Sequence, residues 1–313
     1  MNDLLQNIFW ILVFPGFLFT LAVGLLVSWV VRKVSALVQW RVGPPVLQPL
    51  YDVLKLLGKE TLIPEQAQQG VFIGAPVVGF AAVLLLSTIL WMTAIKQEAF
   101  LGDIIVVIYL LVLPSLALIL GSSASGSPHA AIGTSREMKM VLAYELPLVL
   151  AFIVVIIKSG GQLSLAKIAE QAPALSISGM MAFLISLLCI QAKLGFVPFD
   201  IAESETEIAS GVLIEYSGAL LAVWKLMQML MLVALPMFMV MVFMGGFGTK
   251  GWSLVWGIAK YLLIVVLIVL IKNTNPRVRI DQAMRFFWVY CGILMFIAVV
   301  LATIGNNLGI RWL

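Results

Sequence analysis

The residues best suited to chemistry are five carboxylates packed beside an apolar segment of membrane-spanning length. Asp200, Glu203, Glu205, Glu207 and Glu215 fall within sixteen positions of PFDIAESETEIASGVLIEYSG. Clustered carboxylates in a low-dielectric setting raise one another's proton affinity, so the patch suits proton uptake. On a helix, Asp200, Glu203 and Glu207 would share one face. Helix capping is the alternative, with Asp200 as N-cap and Glu203 at N3, but it leaves Glu207 and Glu215 unexplained.

Two further ionisable residues lie inside apolar runs. Glu145 occurs in YELPLVLAFIVVII, and Lys225 lies between Ala219 and Pro236. A charge at bilayer depth costs about 2.5–3.5 kcal/mol on insertion scales, and such groups usually face the bundle interior. We expect Lys225 to pair with Glu145 or Glu215, and Glu145, Glu207, Glu215 and Lys225 to form a polar route into the membrane. Alternatively, Glu145 lies near a helix end and reaches the headgroups.

Two other segments predict a charged surface. VQWRVGPPVLQPLYDVLKLLGKETLIPE (38–65) contains a short amphipathic helix from Leu50 to Leu57, which is typical of a helix in the membrane interface. IKNTNPRVRIDQAMRFFWVY carries a basic rim. The alternatives are a plain surface helix with snorkelling lysines and simple anchoring of the rim by positive charge. The residues expected to dock a soluble partner are Arg41, Gln48, Asp52, Lys55, Arg136, Arg277, Arg279, Asp281 and Arg285.

The elements that must position these residues are membrane helices. Of the 313 residues, 62% are hydrophobic and 11% are charged, whereas a soluble domain carries roughly 25% charged residues. A soluble enzyme is therefore excluded. We predict an all-α membrane protein with one domain over residues 1–313 and about eight spans. The spans are expected near residues 8–31, 71–95, 103–121, 140–158, 177–194, 218–244, 252–272 and 286–306.

Basic residues predict the orientation. The loops after spans one, three, five and seven hold twelve Lys and Arg residues, against five on the opposite side. The positive-inside rule makes the first side cytoplasmic, so both termini are expected outside and the acidic segment inside. The predicted location is the cell membrane.

The chain shows no means of holding a redox centre. Its two cysteines, Cys189 and Cys291, are too few for an iron–sulfur cluster, and His129 is the only histidine. Neither a Walker loop nor a dinucleotide-binding glycine motif occurs. We therefore expect no cofactor and no metal on this chain, with any redox chemistry located in partner subunits.

Four stretches carry a resemblance to a known family: RVGPPVLQPLYDVLKLLGKE, SRE…YELPL, PFDIAESETEIASGVLIEYSG and NPRVRIDQAMRFFW. Together they resemble the NuoH-type membrane subunit of respiratory complex I, the NADH dehydrogenase subunit 1 family, over nearly the whole chain. The resemblance implies a membrane anchor that couples electron flow in a soluble arm to movement of H⁺ or Na⁺. It implies an iron–sulfur subunit, a hydrogenase-like large subunit and antiporter-like membrane subunits as partners, with no nucleic acid.

The branch follows from two details. Gly43-Pro44-Pro45 runs almost directly into Leu47-Gln48-Pro49, so the longer glycine-rich stretch of the quinone-reducing members is missing. GSPHAAIGTSRE is similar to energy-converting membrane-bound [NiFe] hydrogenases, which would place nickel–iron and iron–sulfur clusters in partner subunits. The alternatives are a quinone-chamber subunit or a sulfur-reducing complex. A stand-alone transporter is a remote alternative, because the sequence shows no internal repeat.

Overall fold

The computed structural model describes residues 9–96, 103–248, 251–310 and 312–313, and in these ranges it contains helices and no strands. The α-helices are α1 Phe17–Val38, α2 Gln48–Leu57, α3 Gln69–Lys96, α4 Asp103–Ser123, α5 Pro128–Lys158, α6 Leu165–Ala169, α7 Ile177–Lys193, α8 Glu205–Ile208, α9 Gly218–Phe243, α10 Trp252–Thr274, α11 Ile280–Arg285 and α12 Gly292–Leu308. A π-helix, Phe286–Cys291, joins α11 to α12, and short 3₁₀ turns occupy Pro173–Leu175 and Gly211–Leu213. The predicted all-α membrane fold is confirmed.

The described residues contain seven helices long and apolar enough to cross a bilayer, or eight if one bent pair counts as a single span. That pair is Leu165–Leu175 and Ile177–Lys193, which meet at 104°. The bend falls where Ser176 caps the second helix, its hydroxyl accepting a hydrogen bond from Gly179 N at 3.1 Å. The predicted span at 177–194 is thus one arm of a broken element.

Two predicted elements can be compared closely with the structure. The interfacial helix is present as α2, with Pro49 and Val53 buried and Leu54 and Leu57 exposed. The fourth span was predicted to begin at residue 140, but α5 begins at Pro128. Proline suits a first helical position because its missing N–H has no partner there anyway. The earlier start brings the SRE stretch into the same helix as Glu145.

Helix α9 is the centre of the bundle. In it, 89% of the most apolar window is buried, whereas the corresponding share in the other spans is 28–56%. It packs against α1, α3 and α10. Most side chains in the second half of α9 therefore face protein rather than lipid, while Lys225, nearer the start of the helix, is half-buried.

The acidic segment differs from its prediction. Residues 200–204 are not helical, and the short α-helical turn Glu205–Ile208 is followed by Ala209 and Ser210 at φ 48° and 77°. Asp200 is therefore not a helix N-cap, and Asp200, Glu203 and Glu207 do not share a helical face. The reason is tertiary, because Asp200 binds Arg277 and the Val278 amide donates to the Pro198 carbonyl. The Glu205 side chain lies outside the described part of the structure, as do Lys250 and Arg311.

Candidate functional site

A cavity of about 490 Å³ lies at the end of the bundle where α7 ends. Its lining combines apolar side chains with charged groups of both signs. The cations are Arg32, Lys193, Lys225, Lys272 and Arg277, and the carboxylates are Glu137, Asp200 and Glu203. Five cations against three carboxylates give the described lining a formal charge of +2. Four of these cations are among the twelve Lys and Arg residues predicted to lie on the cytoplasmic side, and the fold brings these four to one cavity.

The deepest charged contact is an ion pair between α7 and α5. The Lys193 ammonium donates to Glu145 Oε1 at 2.5 Å and to the Leu111 carbonyl at 2.9 Å. It also lies 5.2 Å from the centre of the Tyr144 ring. The side chain of Lys193 is 0% exposed and that of Glu145 is 19% exposed. A buried ammonium needs such a partner, because taking an unpaired charge out of water costs several kcal/mol.

This pair corrects the predicted partner of Glu145. Lys225 instead donates to Gln228 Oε1 at 3.1 Å, one turn further along α9. Gln228 Nε2 in turn donates to Glu203 Oε1 at 2.9 Å, so the amide joins the lysine to the acidic segment. Lys193 ends α7 and reaches α5, whereas Lys225 lies on α9, and the sequence did not reveal which helices α9 contacts.

Glu137 is a site residue that sequence reasoning missed. It lies on α5 eight residues before Glu145, lines the cavity, and takes part in none of the described ion pairs. Both the Glu203 carboxylate and the Lys193 ammonium act on it electrostatically. Two residues that are eight positions apart lie on one broad stripe of a helix. The spacing of Glu137 from Glu145 was therefore the sequence feature from which this site residue could have been predicted.

The outer rim of the site is built from ion pairs between the acidic segment and its neighbours. Arg277 binds Asp200 at 2.7 Å, and Arg136 binds Glu207 at 2.6 Å. These pairs flank a second groove of about 320 Å³, which Arg279 and Asp281 also line. The Glu207 side chain is 60% exposed, so it lies on the surface and not along a buried route.

The interfacial helix is attached to α1 by another charged contact. Arg32 donates to Asp52 Oδ2 at 2.6 Å, and Gln48 donates to Asp52 Oδ1 at 2.9 Å. Burial acts to raise the pKa of Asp52, but the hydrogen bonds from Arg32 and Gln48 outweigh it and hold that pKa below its ordinary value. Because Arg32 also lines the cavity, α2 is tied to the cavity wall.

The remaining predicted residues are more peripheral. Glu215 is half-buried in the turn before α9 and is not part of the described cavity lining. The residues Arg41, Lys55, Arg279, Asp281 and Arg285 are exposed. Among the described residues, no group of three or more His, Cys, Asp and Glu side chains is placed to hold a metal ion, and Cys189 and Cys291 are free thiols.

Together, the helical membrane fold and the charged cavity at one end define a polytopic membrane protein with an ionisable site of its own. Residues 10–303 match the NADH dehydrogenase family, and the chain belongs to that family.

Relatives extend over almost the whole chain. The NuoH-type subunit of the NADH-quinone oxidoreductase of Syntrophotalea carbinolica is 33% identical, covering 92% of this chain and 93% of the relative. The corresponding subunit of Anoxybacillus flavithermus is 34% identical, covering 82% and 81%. Among solved structures, a chain of the membrane-bound sulfane sulfur reductase, an archaeal respiratory membrane complex, has a TM-score of 0.82 at 26% identity, covering 91% of this chain and 96% of that one. The family predicted from the sequence motifs is thus confirmed, and the chain is a multi-pass protein of the cell membrane.

Proposed function

We propose that this chain is the membrane anchor and coupling subunit of a multi-subunit respiratory complex. It would link electron transfer in a soluble arm of the hydrogenase type to translocation of H⁺ or Na⁺. The observation that carries the proposal is the connection between the charged cavity and a buried ion pair, since Lys193 lines the cavity and binds Glu145. Ionisable groups placed in this way inside a membrane protein mark ion paths.

The proposed path differs from the route predicted from sequence. It begins at Glu203, which accepts a hydrogen bond from Gln228, continues through Glu137, and reaches Lys193 and Glu145. Glu207 is an exposed ion-pair partner, and Glu215 lies outside the described lining, so both are left out. Carboxylates in one cavity influence one another's charge, so a proton taken up at one changes the affinity of the next.

The soluble arm would dock on the exposed charged surface around this cavity. That surface contains the interfacial helix, the groove beside Arg136 and Glu207, and the exposed residues Arg279 and Arg285. Charges of both signs at a rim favour orientation of a partner and speed of association. Iron–sulfur clusters, with nickel–iron in a hydrogenase-like large subunit, would belong to the docked subunits, and antiporter-like subunits would complete the membrane arm.

The electron acceptor separates the proposed branch from two alternatives. The relatives from NADH-quinone oxidoreductases favour a quinone-chamber role, and the similar chain of sulfane sulfur reductase favours a sulfur-reducing complex. Metal analysis of the complex purified from native membranes separates them. Nickel in a large subunit with two C-x-x-C pairs supports the hydrogenase branch. A nickel-free complex that reduces a quinone or a sulfur compound contradicts it, and a chain purified alone contradicts every coupling role.

The path is tested in the assembled complex by measuring ions pumped per electron in membrane vesicles. Glu137→Gln and Glu145→Gln keep the side-chain shape but remove the titratable group. Both are expected to lower pumping by roughly tenfold or more, because a positioned proton-transfer group contributes about 10²–10⁴-fold. Glu170→Gln is the control, since Glu170 is exposed and precedes α7 at the end of that helix opposite to Lys193. Wild-type pumping by both cavity variants would contradict the path.

A further inference from the structure

We propose that Lys193 is a proton carrier between Glu137 and Glu145, and not only a counter-ion for Glu145. This inference rests on the proposed coupling function and assigns a specific role within it. Lys193 is one of the residues at the cavity wall, whereas Glu145 is not, so Lys193 lies at the boundary between the cavity and the buried ion pair. The ammonium in this structure lies on the Glu145 side.

The surroundings of Lys193 restrict how the ammonium can exchange its proton. Its side chain is 0% exposed, so direct exchange with bulk water is blocked. The groups that face it are Glu145 at 2.5 Å and the Leu111 carbonyl at 2.9 Å, with the Tyr144 ring alongside. The Tyr144 hydroxyl lies 3.1 Å from Ser115 Oγ, and Ser115 also lines the cavity.

Charged and titratable groups on the neighbouring elements complete this environment. The Lys193 charge interacts electrostatically with both Glu137 and Cys189, and Glu203 in the acidic segment interacts electrostatically with Glu137. Lys225 on α9 also lines this cavity. The lysine therefore has two carboxylates as acid–base partners, one bonded to it and one in the cavity.

The proposed transfer leaves the charge of the three groups unchanged. Lys193 gives one proton from Nζ to Glu145 Oε1, which leaves a neutral amine beside a neutral acid. The amine then takes a proton from protonated Glu137. At the end Glu137 is a carboxylate, Lys193 is again an ammonium and Glu145 carries the proton, so the sum is zero before and after.

The distance between the two carboxylates shows why a carrier is needed. Glu137 and Glu145 are eight residues apart on α5, which corresponds to roughly 12 Å along the helix axis at about 1.5 Å per residue. Two glutamate side chains do not bridge that distance directly. The flexible four-carbon stem of lysine and water in a cavity of about 490 Å³ can bridge it.

Arginine and histidine at position 193 separate a carrier from a fixed counter-ion. Arginine keeps the positive charge but does not release its proton in proteins, whereas histidine exchanges a proton near neutral pH. In the assembled complex, Lys193→Arg is expected to remain folded and to lose roughly tenfold or more of its ions pumped per electron. Lys193→His is expected to pump more than the arginine variant below about pH 6.5 and to lose pumping as the pH rises through that value, the ordinary imidazole pKa.

The control is the same pair of substitutions at Lys139, an exposed residue of α5, where no change in pumping is expected. Pumping by Lys193→Arg equal to or above that of Lys193→His at every pH, including equal loss in both, would overturn the carrier role. If Glu137→Gln and Glu145→Gln stop pumping while Lys193→Arg pumps normally, the proposed function stands and the carrier role falls. Normal pumping by both glutamine variants instead removes the proposed path itself.

Discussion

Glu145→Gln tests how much of the stability of this protein depends on the buried ion pair. The variant leaves the Lys193 ammonium, which is 0% exposed, without a counter-charge, so that its partners are neutral: the glutamine oxygen, the Leu111 carbonyl and the Tyr144 ring. Removing one partner of a buried pair costs about 3–5 kcal/mol. The retained carbonyl bond and ring contact favour the low end of that range, so we expect a loss of about 3 kcal/mol.

The converse substitution, Lys193→Met, should cost less stability than Glu145→Gln. The double variant should recover part of the stability that the single variants lose. Lys193→Met leaves Glu145 unpaired, but that side chain is 19% exposed and is partly solvated. We expect Lys193→Met to cost about 1–2 kcal/mol of stability. The double variant Glu145→Gln/Lys193→Met should cost less than the sum of the two single variants, because it leaves no unpaired charge.

The assay is thermal unfolding of the purified complex, followed by fluorescence in one detergent at one pH. A loss of about 3 kcal/mol corresponds to a fall in Tm of roughly 4–5 °C for a chain of 313 residues. The exposed change Glu170→Gln serves as the control and should leave Tm unchanged. A Glu145→Gln complex that melts within about 1 °C of the wild type, or strictly additive losses in the double variant, would refute the buried-pair reasoning.

Three further predictions concern the surroundings of the cavity. Because the pKa of Asp52 is lowered, the Arg32–Asp52 contact should stabilise α2 above the ordinary carboxyl pKa and be lost as the pH falls through the lowered value. The protection factors for hydrogen exchange in residues 48–57, which correct for the intrinsic exchange rate at each pH, should therefore be unchanged from pH 5 to 8 and fall in stronger acid. Glu215→Gln should pump at the wild-type rate, since Glu215 is absent from the described cavity lining, and a loss of pumping would return it to the path. The topology prediction requires cysteines placed at four positions predicted to face the cytoplasm to be labelled only from that side, and labelling of Glu205→Cys only from outside would contradict it. The substituted positions are Arg41, Arg136, Glu205 and Arg279.

The sequence alone determined the class of protein and the end at which its charged groups lie. Long apolar runs with few charges exclude a soluble fold, because too few charged residues remain to cover a soluble surface. The spans must be helical, because backbone groups in a bilayer have to form their hydrogen bonds within the chain. The interfacial helix was predictable for a similar reason, since the amphipathic pattern of residues 50–57 is local. The family motifs are also local, which is why they could be recognised before the fold was known.

Only the tertiary structure decided which charges meet. The pairing of Glu145 with Lys193 depends on the packing of α5 against α7, and the bond from Gln228 to Glu203 depends on a segment that is not helical. Helical periodicity therefore assigned the wrong geometry to Asp200 and its neighbours, because tertiary contacts with Arg277 and Val278 hold that backbone. Side-chain spacing along one chain segment specifies a face of that segment, whereas an ion pair between helices also requires their relative positions, which packing of the whole bundle sets.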